Sequence, residues 1–432
     1  MYFQIAFKSI FSRKKQYRSL FLVCVAGFCI SLVCLSLMNG MLSSLYQKAK
    51  IYYGGDLQFI GGDNDLGDYD AQEVLKKLEK VFSDKDISLC PRYEISFSSK
   101  DITLFFEGIS VSQRIIKGVD FDIEKNNLKN LTFVEGNAEN IAGTNAILIS
   151  EPISQKLHIK TGDSLTMMKT SHNGYQNTAQ FVVAGIFRDS SLFGMYTSYI
   201  DREHLLSLND EKPGRNNRIG IYFNNSSKLT TKKLNEYQAK LETLFTNMYP
   251  LTDNKEDYYA FKRKLPSKVE SYALITLTAN LRDLRLLISA MRLILYSIII
   301  ALTLIIAIGI GNSYKVIVMK RIREIGMYRA LGMSIQSINA IFLSETSIVI
   351  CSGFILGLFL QYVFSAILAS IDFSFIPAFD VFLQNGSLAP NLEFIQAVIL
   401  FIVIAVTTLL SVLFTIRKGV TVSPVDALST TE

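Results

Sequence analysis

The sequence predicts an integral membrane α-helical protein with four transmembrane helices and a large α+β extracytoplasmic domain inserted between helices 1 and 2. Three observations predict this. Four long runs are almost free of charge, and basic residues gather on one set of their flanks. A stretch of domain length with mixed helix and strand patterns separates the first run from the second. The composition agrees: 432 residues, 49% hydrophobic and 19% charged, with a mean hydropathy of +0.27. That value is high for a soluble chain and low for one wholly embedded in lipid.

Residues 1–18 form a basic, amphipathic N-terminal segment with Lys8, Arg13, Lys14, Lys15 and Arg18. Helix 1 is placed at 19–41, around the uncharged run Leu20 to Met38. Its length and the poor cleavage site at "MNGM" favour an anchor over a cleaved signal peptide. Helix 2 is placed at 286–314, helix 3 at 334–370 with a single charge at Glu345, and helix 4 at 394–416. Each must be helical, because lipid offers backbone groups no partners. Lys315, Lys320, Arg321, Arg323 and Arg329 lie in the 315–333 connection, and Arg417 and Lys418 open the tail 417–432. The short loop 371–393 has Asp372, Asp380 and Glu393 but no Lys or Arg. The positive-inside rule therefore places both termini and 315–333 in the cytoplasm. The expected location is a bacterial inner membrane, spanned several times.

The insertion 42–285 lies outside. "YDAQEVLKKLEKVF" reads as a helix with Asp70 as N-cap, Glu73 completing a capping box, and Val74, Leu75, Leu78 and Val81 on one face. "DITLFFEGI" and "AQFVVAGIF" read as strands ended by glycine. "SSKLTTKKLNEYQAKLETLF" reads as a second helix. "SYALITLTANLRDLRLLISAMRLI" reads as a third, a stalk running into helix 2.

Several chemistries are excluded. No G-x-x-x-x-G-K-[ST] phosphate loop occurs, so the chain is not expected to hydrolyse nucleotide. His158, His172 and His204 are widely spaced without H-E-x-x-H, and no G-x-S-x-G elbow is present. No metal, cofactor or catalytic residue is expected, and no basic groove suggests nucleic acid. Of five cysteines only Cys90 lies in the insertion, which rules out an intrachain disulfide there.

Two intramembrane features stand out. A charge at Glu345 is costly and calls for a partner; it is read either as an interhelical tie or gate, or as a carboxyl near the cytoplasmic interface. Gly353 and Gly357 form G-x-x-x-G, which suits a dimer face or close packing within one bundle. Between helices 2 and 3, Val318 to Leu331 has helical spacing. Val318, Ile322, Ile325 and Arg329 share one side, and Lys320, Arg321, Arg323 and Glu324 spread over the other. Gly332 sits at the C′ position and Ser334 can cap the next helix. Such a helix could rest on anionic headgroups or dock a partner.

"KRIREIGMYRALGMSIQSINAIFLSE" resembles the signature of the FtsX/MacB-type ABC permease superfamily. Glu324, Ile325, Gly326, Arg329, Ala330, Leu331, Gly332 and Glu345 match it, with Arg321 and Arg323 just before. The tail "VSPVDALS" resembles the P-[VA]-[ED]-A-L ending of the same permeases at Pro424, Val425, Asp426, Ala427 and Leu428. The insertion resembles their extracytoplasmic core, with an "eG" turn at Glu135 and Gly136 and an element carrying Leu157, Gly162 and Asp163. The resemblance implies a non-catalytic permease half that dimerises with a like or unlike second permease. A separate cytoplasmic ATPase dimer would bind ATP and Mg and receive the 321–332 helix. Motion would then pass to the outer domain (mechanotransmission). "MNGM" and "GGDLQFIGG" are similar to the lipoprotein-releasing LolC/LolE branch, favouring lipoprotein release. The coupling helix is closer to the MacB-like branch, which exports antibiotics and peptides. An FtsX-like regulator of a cell-wall hydrolase is a third reading. Lipoprotein, a periplasmic chaperone or adaptor, and membrane lipids are the further partners implied.

Overall fold

The computed structural model describes residues 2–62, 69–96, 102–171, 173–188, 196–224, 229–266 and 269–420. The chain divides into two compact units: Met1–Ser43 with Leu287–Phe373 and Ser387–Glu432, and Ser44–Leu286 with Ser374–Gly386.

Helix α1 (Tyr2–Ser12) and helix α2 (Lys14–Tyr53) meet at a turn on Arg13. Helix α2 is 40 residues long and far outruns the predicted 19–41. The apolar spacing continues beyond Met38, where Leu42, Leu45 and Ala49 are all buried. Gly54 and Gly55, at φ +85° and +140°, end the helix by donating their N–H groups to the Lys50 carbonyl at 2.9 and 2.8 Å.

The α/β unit follows. It contains β1 (Leu57–Gly62), β2 (Tyr69–Asp70), α3 (Ala71–Val81), β3 (Ile87–Ser96), β4 (Ile102–Phe106), β5 (Ile109–Ser112), β6 (Ile115–Val119) and α4 (Phe121–Leu128). Next come β7 (Phe133–Gly136), β8 (Ala146–Ser150), α5 (Glu151–Leu157), β9 (Ser164–Thr170), β10 (Gln176–Phe187), β11 (Thr197–Asp201) and α6 (Arg202–Leu208). The unit closes with β12 (Arg215–Asn216), β13 (Arg218–Phe223), α7 (Thr231–Leu244), β14 (Met248–Tyr249), α8 (Lys255–Lys262), β15 (Ser271–Thr276) and α9 (Leu277–Asn280). One mixed sheet runs β14-β15-β1-β13-β3-β6-β11-β8-β10-β9-β4-β5, with β7 alongside β10.

Helix α3 is capped as expected, Asp70 accepting from the N–H groups of Gln72 and Glu73, and Val74, Leu78 and Val81 enter the core. The Glu73 carboxylate accepts from Lys77 instead of closing the capping box. Strand β4 ends at Glu107–Gly108 as predicted, both at positive φ, and turns into β5. Strand β10 does not end at glycine. Gly185 lies inside it, where the register with β8 shifts and an added Cβ would meet the Phe133 ring at 2.7 Å.

The predicted stalk helix is a correction. "SYALIT" is strand β15, antiparallel to β1 and parallel to β14, with five of its six residues buried. A short continuous apolar run fits a buried strand or a buried helix alike, and sheet pairing decides here. Only after α9 and a 3₁₀ turn at Arg282–Leu284 does helix α10 (Arg285–Lys320) begin.

Helix α11 (Ile322–Ala330), α12 (Ile335–Ala369) and α13 (Phe394–Val420) complete the chain. Among the described residues four helices (α2, α10, α12 and α13) are long and apolar enough to cross a membrane. Leu20, Phe28, Ile306, Ile310, Phe342, Ile350, Leu400 and Ile404 join them in one core. Outward-facing Leu293, Ile305, Phe359, Ile395 and Phe414 stay exposed, as lipid contact requires. The buried share of the apolar window is 56% for α2 and 28–33% for the others, so α2 is the hub. Gly353 and Gly357 face it: an added Cβ would stand 2.7 Å from Cys24 Cβ and 2.8 Å from Phe28 Cβ. The G-x-x-x-G face is therefore used within this bundle.

The loop predicted at 371–393 is divided. Ser374–Gly386 belongs to the α/β unit, where Lys48 Nζ donates to Asp380 Oδ2 at 2.7 Å and Val381 and Leu383 are buried.

Candidate coupling site

Helix α11 begins four residues later than the predicted Val318. Helix α10 continues through Lys320, and Arg321 interrupts at φ −108°, ψ 12°. The cause lies in its side chain. Arg321 is 4% exposed and turns into the bundle, not onto the outer face that periodicity gave it. Its Nη1 donates to both oxygens of Glu345, each at 2.9 Å, and its guanidinium carbon lies 4.7 Å from the Phe342 ring centre. Glu345 is fully buried, so the pair is desolvated. The Tyr17 hydroxyl of α2 donates to Glu345 Oε2 at 2.7 Å.

A second link joins this pair to the surface. Arg321 Nε donates to Glu324 Oε2 at 3.1 Å, and Arg13 donates to the same oxygen at 3.0 Å and to the other oxygen through its second nitrogen. Burial pushes the Glu324 carboxyl up, but Arg13 and Arg321 outweigh it and hold it below the ordinary carboxylate range. The chain Arg13–Glu324–Arg321–Glu345–Tyr17 thus ties the α1–α2 turn, α2, α11 and α12 together.

The rest of α11 divides into two faces. Ile325 and Gly326 are buried. Arg323, Met327, Ala330 and Leu331 are exposed, Leu331 by 77%, and Arg329 is half-buried. Gly332, at φ +85°, gives the expected left-handed end, with Met333 N–H bonded to the Tyr328 carbonyl. Ser334 caps α12 through the Ser337 N–H. Pro424, Asp426, Ala427 and Leu428 lie outside the described residues, as does His172.

Arg13 and Tyr17 escaped the sequence reading as site residues. Arg13 registered only as one basic flank among several, and Tyr17 as nothing. The signal was Glu345 itself: a buried carboxylate needs a partner, and cations beside the same membrane face were the candidates. A second missed cluster holds the end of α2. Strand β3 carries Arg92 and Glu94 on one face, with Lys117 of β6 opposite Glu94 and Arg218 of β13 opposite Arg92. Arg92, fully buried, pairs with Glu124 and donates to the Ile51 and Tyr52 carbonyls at 3.1 and 3.3 Å. Lys117 also reaches the Tyr52 carbonyl. Cations at the carbonyl end of a helix are favourably placed against its dipole.

Residues 296–424 match the FtsX-like permease C-terminal family. This part of the chain is similar to FtsX-like permease C-terminal domains. All of α11, the ion-pair partner Glu345 and both glycines fall within it. The stretch Glu324 to Gly332, which carries the resemblance, lies inside the matched residues. Among solved structures the chain is similar to the periplasmic region of MacB from Actinobacillus actinomycetemcomitans. That likeness has 15% identity and a TM-score of 0.30, and covers 45% of this chain and 86% of the other. No curated protein sequence matches the chain.

Proposed function

We propose that the chain is the permease subunit of an ABC transporter in a bacterial inner membrane, both termini cytoplasmic, and that α11 receives a separate ATPase. The observation that carries this is the two-sidedness of α11. One side is locked by ion pairs and buried side chains; the other presents Arg323, Met327, Ala330 and Leu331. A helix pressed by a partner moves the bundle only if it is held by more than the loop that carries it. The chain itself contributes no catalytic group, and ATP and Mg belong to the partner ATPase dimer.

The α/β unit then lies outside the cell membrane, and a second permease, like or unlike, completes the transporter. Lipoprotein release is the favoured output, on the likeness of the "MNGM" and "GGDLQFIGG" stretches. Export of antibiotics or peptides and regulation of a cell-wall hydrolase are the alternatives. Substituting Met327→Asp and Leu331→Asp tests the docking face. The variants are expected to fold and insert normally yet fail to co-purify with the ATPase; undiminished co-purification defeats the reading.

A further inference from the structure

The α/β unit contains a cleft of ≈ 760 Å³ between the end of α2, strand β3 and helix α8. That volume suits a small organic ligand. Its lining is unbalanced in charge. Arg218, Lys255, Lys262 and Arg263 are cationic, against Glu94 and Glu256. Glu94 is already shared: its oxygens lie 3.2 Å from Arg218, 3.4 Å from Arg92 and 3.6 Å from Lys117. Arg92 has Glu124 as a second partner, and the lining itself carries four cations against two carboxylates.

Helix α8 adds to the excess. Burial, and then the charge of Arg218, hold Lys255 below the ordinary lysine range despite Glu256. Asp283 and Glu94 also act in favour of the charged ammonium, and these carboxylates offset burial and Arg218 only in part. Its Nζ lies 5.5 Å from the Tyr53 ring centre, and the Tyr52 and Tyr53 rings meet edge to face at 5.0 Å. Tyrosine faces beside a cationic floor offer one apolar wall and one anion-binding wall.

We propose that this cleft binds a small phosphomonoester carrying a ring or short acyl portion, the phosphate against Arg218 and Lys255 and the apolar part against Tyr52, Tyr53 and Tyr259. A phosphomonoester matches the charge better than a carboxylate: it brings about two negative charges at neutral pH, where a carboxylate brings one. Its oxygens also accept the paired donors of a guanidinium.

The site is independent of the coupling role and is tested without any ATPase. Calorimetric titration of the full chain in detergent would use phenyl phosphate as a soluble probe and dihexanoyl phosphatidic acid as a lipid headgroup. At least one is expected to bind. Binding of phenyl phosphate alone assigns a soluble ligand, and binding of the lipid alone a headgroup. Lys255→Gln and Arg263→Gln, each with an unchanged unfolding transition, are expected to weaken binding, Lys255→Gln by about tenfold. Lys240→Gln on exposed α7 serves as the control and is expected to bind as the parent does. Failure of both probes at millimolar concentration, or affinity indifferent to Lys255→Gln, overturns the proposal.

Discussion

Glu345 sits at 0% exposure with Arg321 and Tyr17 as its partners, and its removal leaves the buried guanidinium with only the partly exposed Glu324 as a carboxylate partner among the described residues. Breaking such a pair from one side costs about 3–5 kcal/mol, whereas replacing both members by apolar groups is often nearly neutral. Glu345→Ala is therefore expected to lower thermal stability sharply, and Arg321→Met with Glu345→Leu to recover most of the loss. Equal losses in the single and double variants would contradict a desolvated pair. Glu324 makes a prediction in pH. Its folded pKa is depressed, so its contribution is present above the unfolded value of about 4.3 and is lost as pH falls through the folded pKa. The unfolding midpoints of the parent and Glu324→Gln should differ at neutral pH and converge in acid. The difference is modest, because 29% of the side chain is exposed. The need for a partner at Glu345 was legible in the sequence. Arg321 as that partner was not, because a continuous helix from Val318 would have turned it outward.

At the scale of elements, helix boundaries marked by a capping residue were legible and those set by tertiary contacts were not. Gly332 and Ser334 mark the close of α11 and the start of α12 in the sequence and in the structure alike. The start of α11 depends on where Arg321 is drawn, and nothing local encodes that. Strand β15 was misread for a related reason: its apolar run has no period, and its partners β1 and β14 are far away in sequence or too short to notice. Helix α2 ran on because Leu42, Leu45 and Ala49 keep the spacing that the uncharged run began. The glycine pair of α12 gives the third prediction. Gly353→Val would force α12 away from Cys24 of α2, costing about 1–3 kcal/mol through overpacking. Thermal unfolding should show that loss without a change in oligomeric state; a lost dimer at unchanged stability would return the motif to a subunit interface.

For the whole molecule, the order of one long apolar helix, a large α/β unit and three more apolar helices was readable from hydropathy and length. The strand order was not, since β1 joins β13 and β15 across most of the unit, and pairing at that separation leaves no local mark. Membrane sidedness makes the fourth prediction. Tyr175 is 68% exposed in the α/β unit, so Tyr175→Cys in a cysteine-free background should react with an impermeant thiol reagent from outside intact cells. Reaction only from the cytoplasmic side would reverse the topology. The role of α11 meets its most direct test in Glu324→Lys, which sets a cation against both Arg13 and Arg321. In membranes reconstituted with the cognate ATPase, transport-coupled ATP hydrolysis should disappear while the α/β unit still unfolds at its usual temperature. Full coupled hydrolysis in that variant would show that α11 does not transmit the work of the ATPase.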